Sequence, residues 1–401
     1  MTPPREPGGD VSFQEIEAIE AESFPPAAAG DDAADSASIR LNSEPPPAGL
    51  NDVPSEVTPE AAVFLQEFRT RYSADDVIGK LRDLRRMKVL VLGDTIVDEY
   101  HFVRPYGMPT KAAVIAAQYM EAKSYAGGVL AVANHVAGFC DDVHLVTVLG
   151  AQDSKEDFVR ANLRSNIRAK LFEQPGAPTT VKRRYLQKFL LQKLFEVSFF
   201  DEQPLRDELE AEVSDYLDAV LADYDLVIAS DFGHGFITRR MIDLLCAKGR
   251  FLAVNTQLNS INYGYHVISR YPSADYVCID EAETRMACRD RYSPIENLIR
   301  PLSRELRAQV VTVTRGHHGS LTWRAGRPFA HVPVLSRQVV DTVGAGDAFL
   351  SVAAPCAAAN FPPDLVGFIG NAVGALAVRI VGNAQPVHPE MLYEFLRTIL
   401  K

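Results

Sequence analysis

"VVDTVGAGDAFL", residues Val339 to Leu350, is the stretch in which the sequence commits itself to a particular chemistry. Two apolar residues run into Asp341 and Thr342. Gly344, Ala345 and Gly346 then precede a second acid, Asp347, at the head of an apolar helical run. Glycines at a helix start let the backbone come close to a ligand without side-chain obstruction. The first N–H groups of the helix point outward with the positive end of its dipole behind them, so the turn suits an anion, phosphate above all. A carboxylate would repel that anion unless it has a task of its own, such as taking a proton from an attacking hydroxyl. On the residues alone, the plainer alternative that Asp347 merely occupies the first helical turn stands level with this.

Around this turn, short continuous apolar runs alternate with helical patterns. "KVLVLGD" (88–94), "VHLVTVLG" (143–150), "YDLVIASD" (224–231), "RFLAVN" (250–255), "ADYVCID" (274–280) and "QVVTVTRG" (309–316) read as buried strands. Helices are expected near 128–139 and at 205–222, 238–247, 281–290, 294–307, 345–359 and 364–381. Unbroken apolar strands between helices predict a parallel sheet covered on both faces, hence an α/β fold. The segments 98–125 and 178–201 mix apolar and polar residues as half-exposed strands do, which predicts a small sheet serving as a lid. Residues 1 to about 58 are rich in Pro, Ala, Asp and Glu and are expected to be disordered, while 59–86 carries a helical lead-in opening on Thr58 and Pro59.

Composition narrows the function classes. The 401 residues carry a formal net charge of -11, which supplies no excess of basic residues to neutralise nucleic-acid phosphates. No apolar run is long enough to span a membrane, and the first ten residues lack a secretory pattern, so a cytoplasmic location is expected. The five cysteines are scattered, without a C-x-x-C pair, and read as buried apolar residues. No G-x-x-x-x-G-K-[ST] occurs, which removes a P-loop from consideration.

"DTVGAGDAF" resembles the C-terminal motif of the ribokinase-like (PfkB) carbohydrate kinases, and the resemblance extends over most of 87–400. It implies a three-layer sandwich with a mostly parallel sheet and a small β lid, using ATP and magnesium. It makes Asp347 the base that deprotonates a sugar hydroxyl, with the amides of Gly344, Ala345 and Gly346 stabilising the transferring phosphoryl group. "VLVLGDTIVDEY" is similar to the family's first strand and sugar-binding aspartate, here Asp98, with Asp94 nearby. "AGGVLAVANHVAG" is similar to its Gly-Gly motif, placing Gly127 and Gly128 against the sugar. "VTVTRGHHGSL" and "GNAVGALAV" resemble the nucleotide-binding segments and imply roles for Thr314, Arg315, Gly316, Gly319 and Asn371.

Within the family the style and order of motifs most resemble bacterial heptose-7-phosphate kinases. "TTVKRRY" falls where those kinases carry a basic strand near the sugar phosphate, so the resemblance makes Lys182, Arg183 and Arg184 candidates to clamp a substrate phosphate, and strand alternation favours Lys182 and Arg184 facing inward together. "SDFGHG" places Asp231 among the substrate residues. Several positions depart from the pattern: Ala131 replaces an asparagine, for which Asn134 one turn later is a substitute. His234 replaces a lysine, "NTQLN" puts Asn255 where the family has aspartate, and Asp280 replaces the asparagine of Asn-x-x-Glu. Glu283, the glutamate of that motif, is present as the residue that would arrange magnesium through water.

The expected function is therefore phosphorylation of a sugar or sugar phosphate, with a heptose 7-phosphate favoured, by a homodimer joined through the lid. Any later nucleotidyl transfer would fall to a separate enzyme. A kinase-fold binding protein without activity and a nucleoside kinase are the alternatives.

Overall fold

The computed structural model describes residues 57–109, 111–260 and 262–401. The acidic stretch up to about residue 58 lies outside them apart from its last two residues. Two short helices come first, α1 (Pro59–Phe68) and α2 (Ala74–Asp83), begun by the hydroxyls of Thr58 and Ser73, which accept amide hydrogens of Ala61 and Asp76 at 3.1 Å each. Then come β1 (Lys88–Gly93), β2 (Thr95–Gly107), β3 (Ala116–Gly128), α3 (Val129–Phe139), β4 (Asp142–Gln152), α4 (Glu156–Ala161), β5 (Ile167–Pro178), β6 (Val181–Gln187) and β7 (Lys193–Phe199). The remainder is α5 (Asp207–Val220), β8 (Leu226–Asp231), α6 (Arg239–Lys248), β9 (Leu252–Thr256), β10 (Tyr276–Asp280), α7 (Glu281–Cys288), α8 (Ile295–Glu305), β11 (Val310–Thr314), β12 (Ser320–Arg324), β13 (Ala330–Val332), α9 (Ala345–Ala358), α10 (Pro363–Ala377) and α11 (Pro389–Ile399).

Nine strands form the main sheet in the order β13-β12-β11-β10-β9-β8-β1-β4-β5, parallel except for the β12 and β13 edge. In β1, Val89 and Val91 pack into the core on one face, with α3, α9 and α10, while Leu90 and Leu92 pack on the other, with α5, α6 and α8. Burial of both faces is why this strand reads as an unbroken apolar run. The expected parallel α/β architecture is thus the observed one. Strand β5 and the β12–β13 hairpin were not anticipated, because β5 is half exposed along most of its length and β12 and β13 are short, so neither gives a continuous apolar signal.

The chain order along the sheet reverses at β1, which lies between β4 and β8. Such a reversal opens a crevice at the carboxyl ends of the strands. Asp94 follows β1, and Asp231, Thr256 and Asp280 close β8, β9 and β10. Beside this crevice stands a second sheet, ordered β3-β2-β6-β7. Its parallel β2–β6 register sets Asp98 beside Lys182 and Tyr100 beside Arg184. Tyr100, Phe102 and Leu186 form its own small apolar cluster.

Candidate active site

Helix α9 begins after Gly344, which sits at φ +80°, where any Cβ would run into the side chain of Asn383. This left-handed residue turns the chain so that Asp347 lies in the first helical turn, buried. Its Oδ1 accepts a hydrogen bond from Gln257 Nε2 at 2.6 Å, and it has no ion-pair partner among the described residues. Burial pushes the Asp347 carboxyl up to about 7; the Gln257 bond and Lys182 oppose that rise and Asp98 adds to it. A carboxyl in that range exchanges protons near neutrality, as a general base must. Ala345 does not serve as the sequence reading expects: its N–H donates to the Thr342 carbonyl at 3.3 Å and closes the turn. The amides of Gly344, Gly346 and Asp347 carry no such bond and remain as donors for an anion.

Asp341 holds this turn from behind. Its carboxylate accepts from Tyr100 Oη at 2.7 Å, Lys193 Nζ at 2.8 Å, the Gly382 amide at 2.9 Å and the Val343 amide at 3.1 Å. Two of these donors belong to the small sheet. Their hydrogen bonds keep the Asp341 carboxyl below the usual range despite burial.

The acids expected at the sugar are in different states. Asp94 is buried and accepts backbone amides of Phe232 and Phe236 at 3.1 Å each and His234 at 3.4 Å, which fastens the loop after β8. Burial, with the nearby charge of Asp231, pushes its carboxyl up to about 6. Asp98 accepts from Arg184 Nη1 at 2.5 Å and from Asn383 Nδ2 at 3.4 Å. Gly127 lies so close that a Cβ there would overlap the Asp98 carboxylate, and Gly128 at φ +55° abuts the Asp94 carbonyl. Arg184 is also paired with Glu196 at 2.8 Å. It is thereby held between two carboxylates, which overturns the expectation of a free phosphate clamp. Lys182, on the same face, makes no ion pair among the described residues, and burial lowers its pKa. Arg183 points to the opposite face and pairs with Glu99 at 2.7 Å.

Asp231 is satisfied on every side. Tyr271 Oη donates to its carboxylate at 2.9 Å and Arg270 Nη1 at 3.2 Å, while His266 Nε2 lies 3.0 Å from Oδ1 and donates to the Asp231 main-chain carbonyl at 3.2 Å. Arg270 has only donors and sits 2.6 Å from His266 Nδ1, so that nitrogen accepts and Nε2 carries the hydrogen given to Asp231. The carboxylate organises the loop rather than meeting a sugar. Asn134 also departs from expectation: its Nδ2 donates to the Asn162 carbonyl at 2.8 Å and its Oδ1 accepts the Arg164 amide at 3.0 Å. Both polar ends are spent on that turn, so it does not replace the asparagine missing at Ala131.

At the residues expected to meet the nucleotide, Asp280 and Glu283 form a capping box for α7, with the Glu283 amide donating to Asp280 at 2.6 Å and the Asp280 amide to Glu283 at 2.7 Å. Glu283 Oε1 also accepts the Leu258 amide at 3.0 Å. Burial, then Asp280, pushes the Glu283 carboxyl up to about 8. Thr314 closes β11 in register with Asp280 and Ser320. Arg315 pairs with Glu281 at 2.8 Å, and Gly316 and Gly319 shape the turn into β12 at φ +54° and +78°. Asn371 Nδ2 donates to Ser320 Oγ and to the Gly367 carbonyl at 2.8 Å, so it braces α10 against β12.

Gln257, Asn383, His266 and Arg270 escaped the sequence reading. Only Gln257 had a usable signal, its place at the end of a predicted strand. The others come from irregular loops.

Comparison with known proteins agrees with this geometry. Residues 86–390 match the family described as "pfkB family carbohydrate kinase". The "Bifunctional protein HldE" of Pseudomonas aeruginosa is 27% identical over 312 residues, covering 76% of this chain and 62% of that protein. The chain therefore spans less than two thirds of that relative's length. Ribokinase from Thermotoga maritima superposes with a TM-score of 0.61 at 18% identity, covering 78% of this chain and 99% of that one. An Arabidopsis thaliana ribokinase complexed with ribose and ATP gives 0.57 at 16% identity, covering 78% and 99%.

Proposed function

Because the chain belongs to the pfkB family of carbohydrate kinases, we propose that it transfers the terminal phosphoryl group of ATP to a hydroxyl of a phosphorylated sugar of the heptose 7-phosphate type. The observation that carries the reading is Asp347, a buried carboxyl near neutral pKa in the first turn of a helix whose leading amides make no backbone bond among the described residues. Asp347 takes the proton of the attacking hydroxyl, and Gln257 orients its carboxylate. The amides of Gly344, Gly346 and Asp347 receive the charge that develops on the transferring group. Asp98 and the close backbone of Gly127 and Gly128 position the sugar. Lys182, the half-buried cation on that side with no ion pair among the described residues, meets the substrate's anionic group.

ATP takes the carboxyl ends of β10 and β11, near Thr314 and Gly316, as a nucleotide fits the crevice of such a sheet. Magnesium fits Glu283 and Asp280: their oxygens are hard donors, and burial leaves the Glu283 carboxyl short of positive charge. No cluster of three His, Cys, Asp or Glu side chains among the described residues could hold a metal, which agrees with an ion completed by water and ATP phosphates. Bound there, it would neutralise those phosphates. The small sheet acts as the lid. Its outer face exposes Phe195, Val197 and Phe199, an apolar strip suited to a second copy of the chain. Among the described residues no helix is long and apolar enough to cross a membrane, and we place the reaction in the cytoplasm with its ATP.

The test is to follow ADP release with Mg-ATP and a panel of sugars, sugar phosphates and ribonucleosides. Turnover of a sugar phosphate, abolished in Asp347→Asn, is expected. No turnover above that variant with any acceptor would overturn the proposal.

A further inference from the structure

Deep in the crevice, beside Asp94, lies a cavity of about 50 Å³ between the ends of β4 and β5, the loop after β8 and the 201–205 linker. Two side chains lining it, buried Gln174 and half-buried His234, each have an enclosed polar atom with no partner among the described residues: Gln174 Oε1 and His234 Nε2. Gln174 is 8% exposed, and its amide nitrogen is already given to the Pro204 carbonyl at 3.4 Å. A buried acceptor left unmet costs about 1–3 kcal/mol, so a fold keeps one where a ligand meets it. Two of the three threonine hydroxyls in the lining are engaged elsewhere. Thr95 is bonded to Thr147 at 2.8 Å, and Thr179 donates to the Ser154 carbonyl at 2.6 Å.

The charge around the cavity decides what enters. Its described lining includes the carboxyls of Asp94 and Asp201 and contains neither Lys nor Arg. Gln174 Oε1 can only accept. A phosphate would face acceptors and acids with no compensating cation. Burial, reinforced by Lys182 just outside, keeps the His234 imidazole neutral. The Asp94 carboxyl is already filled by three backbone amides. The volume admits a few water-sized groups and no whole ring. We propose that this cavity is a subsite for a neutral, hydroxyl-bearing end of the sugar, a hydroxymethyl or glycol group whose O–H groups donate to Gln174 Oε1 and His234 Nε2. It rests on the kinase reading above for the identity of the ligand as a sugar. It adds that the substrate's anionic group lies elsewhere, toward Lys182, so that the site reads two ends of opposite character.

The test uses D-mannose, D-mannose 6-phosphate and sedoheptulose 7-phosphate as probes, in steady-state turnover with Mg-ATP and in calorimetric titration without ATP. Gln174→Leu keeps the size and removes the acceptor. It is expected to raise KM and Kd for the preferred probe about tenfold, the worth of one hydrogen bond, with KM for ATP unchanged. His234→Lys places a cation beside the cavity and is expected to shift preference toward the probe carrying the additional or repositioned phosphate. Unaltered sugar KM and Kd in both variants overturn the subsite, while loss of turnover in Asp347→Asn keeps the kinase reading standing. If no probe is turned over, calorimetry decides separately: weaker binding to Gln174→Leu supports the subsite, and equal or absent binding overturns it. A Gln174→Leu protein whose thermal transition falls well below wild type is replaced by Gln174→Met, which also removes the acceptor and is expected to raise KM about tenfold; an unaltered KM there overturns the subsite.

Discussion

Asp231 and Asp347 are both buried aspartates at the same mouth of one sheet, yet their surroundings give them opposite characters. The Asp231 carboxylate is met by a guanidinium and a phenol, with an imidazole that donates to its main-chain carbonyl, and the loop after β8 is built on those bonds. Asp347 is met by one neutral amide, and burial pushes its carboxyl up to about 7. A buried carboxylate paired with a cation is an anchor, because its charge is already used. One left with an uncharged donor keeps a proton within reach at neutral pH. The partner, more than the acid, assigns the role.

The largest effect expected is on turnover. Asp347→Asn keeps the shape and removes the base, so kcat should fall by about 10²–10⁴-fold, while the thermal transition stays or rises because a buried ionisable group is gone. Next, Asp231→Ala leaves Arg270 without its carboxylate and should cost about 3 kcal/mol or more in urea unfolding, with a smaller change in the kcat of the folded fraction. If Asp231→Ala instead abolished chemistry without loss of stability, the distinction drawn above would collapse. Gln257→Lys converts the neutral partner of Asp347 into a cation and makes the two acids alike. A cation favours the carboxylate, so the rise of kcat/KM with pH, centred near 7 in the wild type, should move down by at least about one unit. Gln257→Leu should move it upward. Smallest, Lys193→Met removes one of four donors to Asp341 and should lower kcat about tenfold, with recovery in Lys193→Arg.

The contrast between the two aspartates also marks what the sequence could show. Local signals carried the strands, the helix starts and the Asp347 turn, since a continuous apolar run or a Gly-x-Gly at a helix head is written in neighbouring residues. The partners are not neighbours. Gln257 reaches Asp347 across 90 positions and Asn383 reaches Asp98 across 285. Arg184 and Asn134 read as free ligands for the same reason, as nothing adjacent in the chain announces Glu196 opposite the one or the Arg164 amide beside the other. Strand β5 was missed because an edge strand half exposed along most of its length resembles a loop in composition.

Asp341 joins two parts of the molecule that the chain keeps far apart. Tyr100 and Lys193 reach it from the small sheet, while Val343 and Gly382 reach it from the catalytic turn and its neighbour. Movement of the small sheet breaks the first pair, and disorder of the turn breaks the second. The two are one equilibrium seen from its two ends. By thermodynamic reciprocity, a ligand that steadies the small sheet must tighten the hold of the turn on its own ligand by the same factor, and the reverse. A single carboxylate thus ties the small sheet to the turn that carries Asp347.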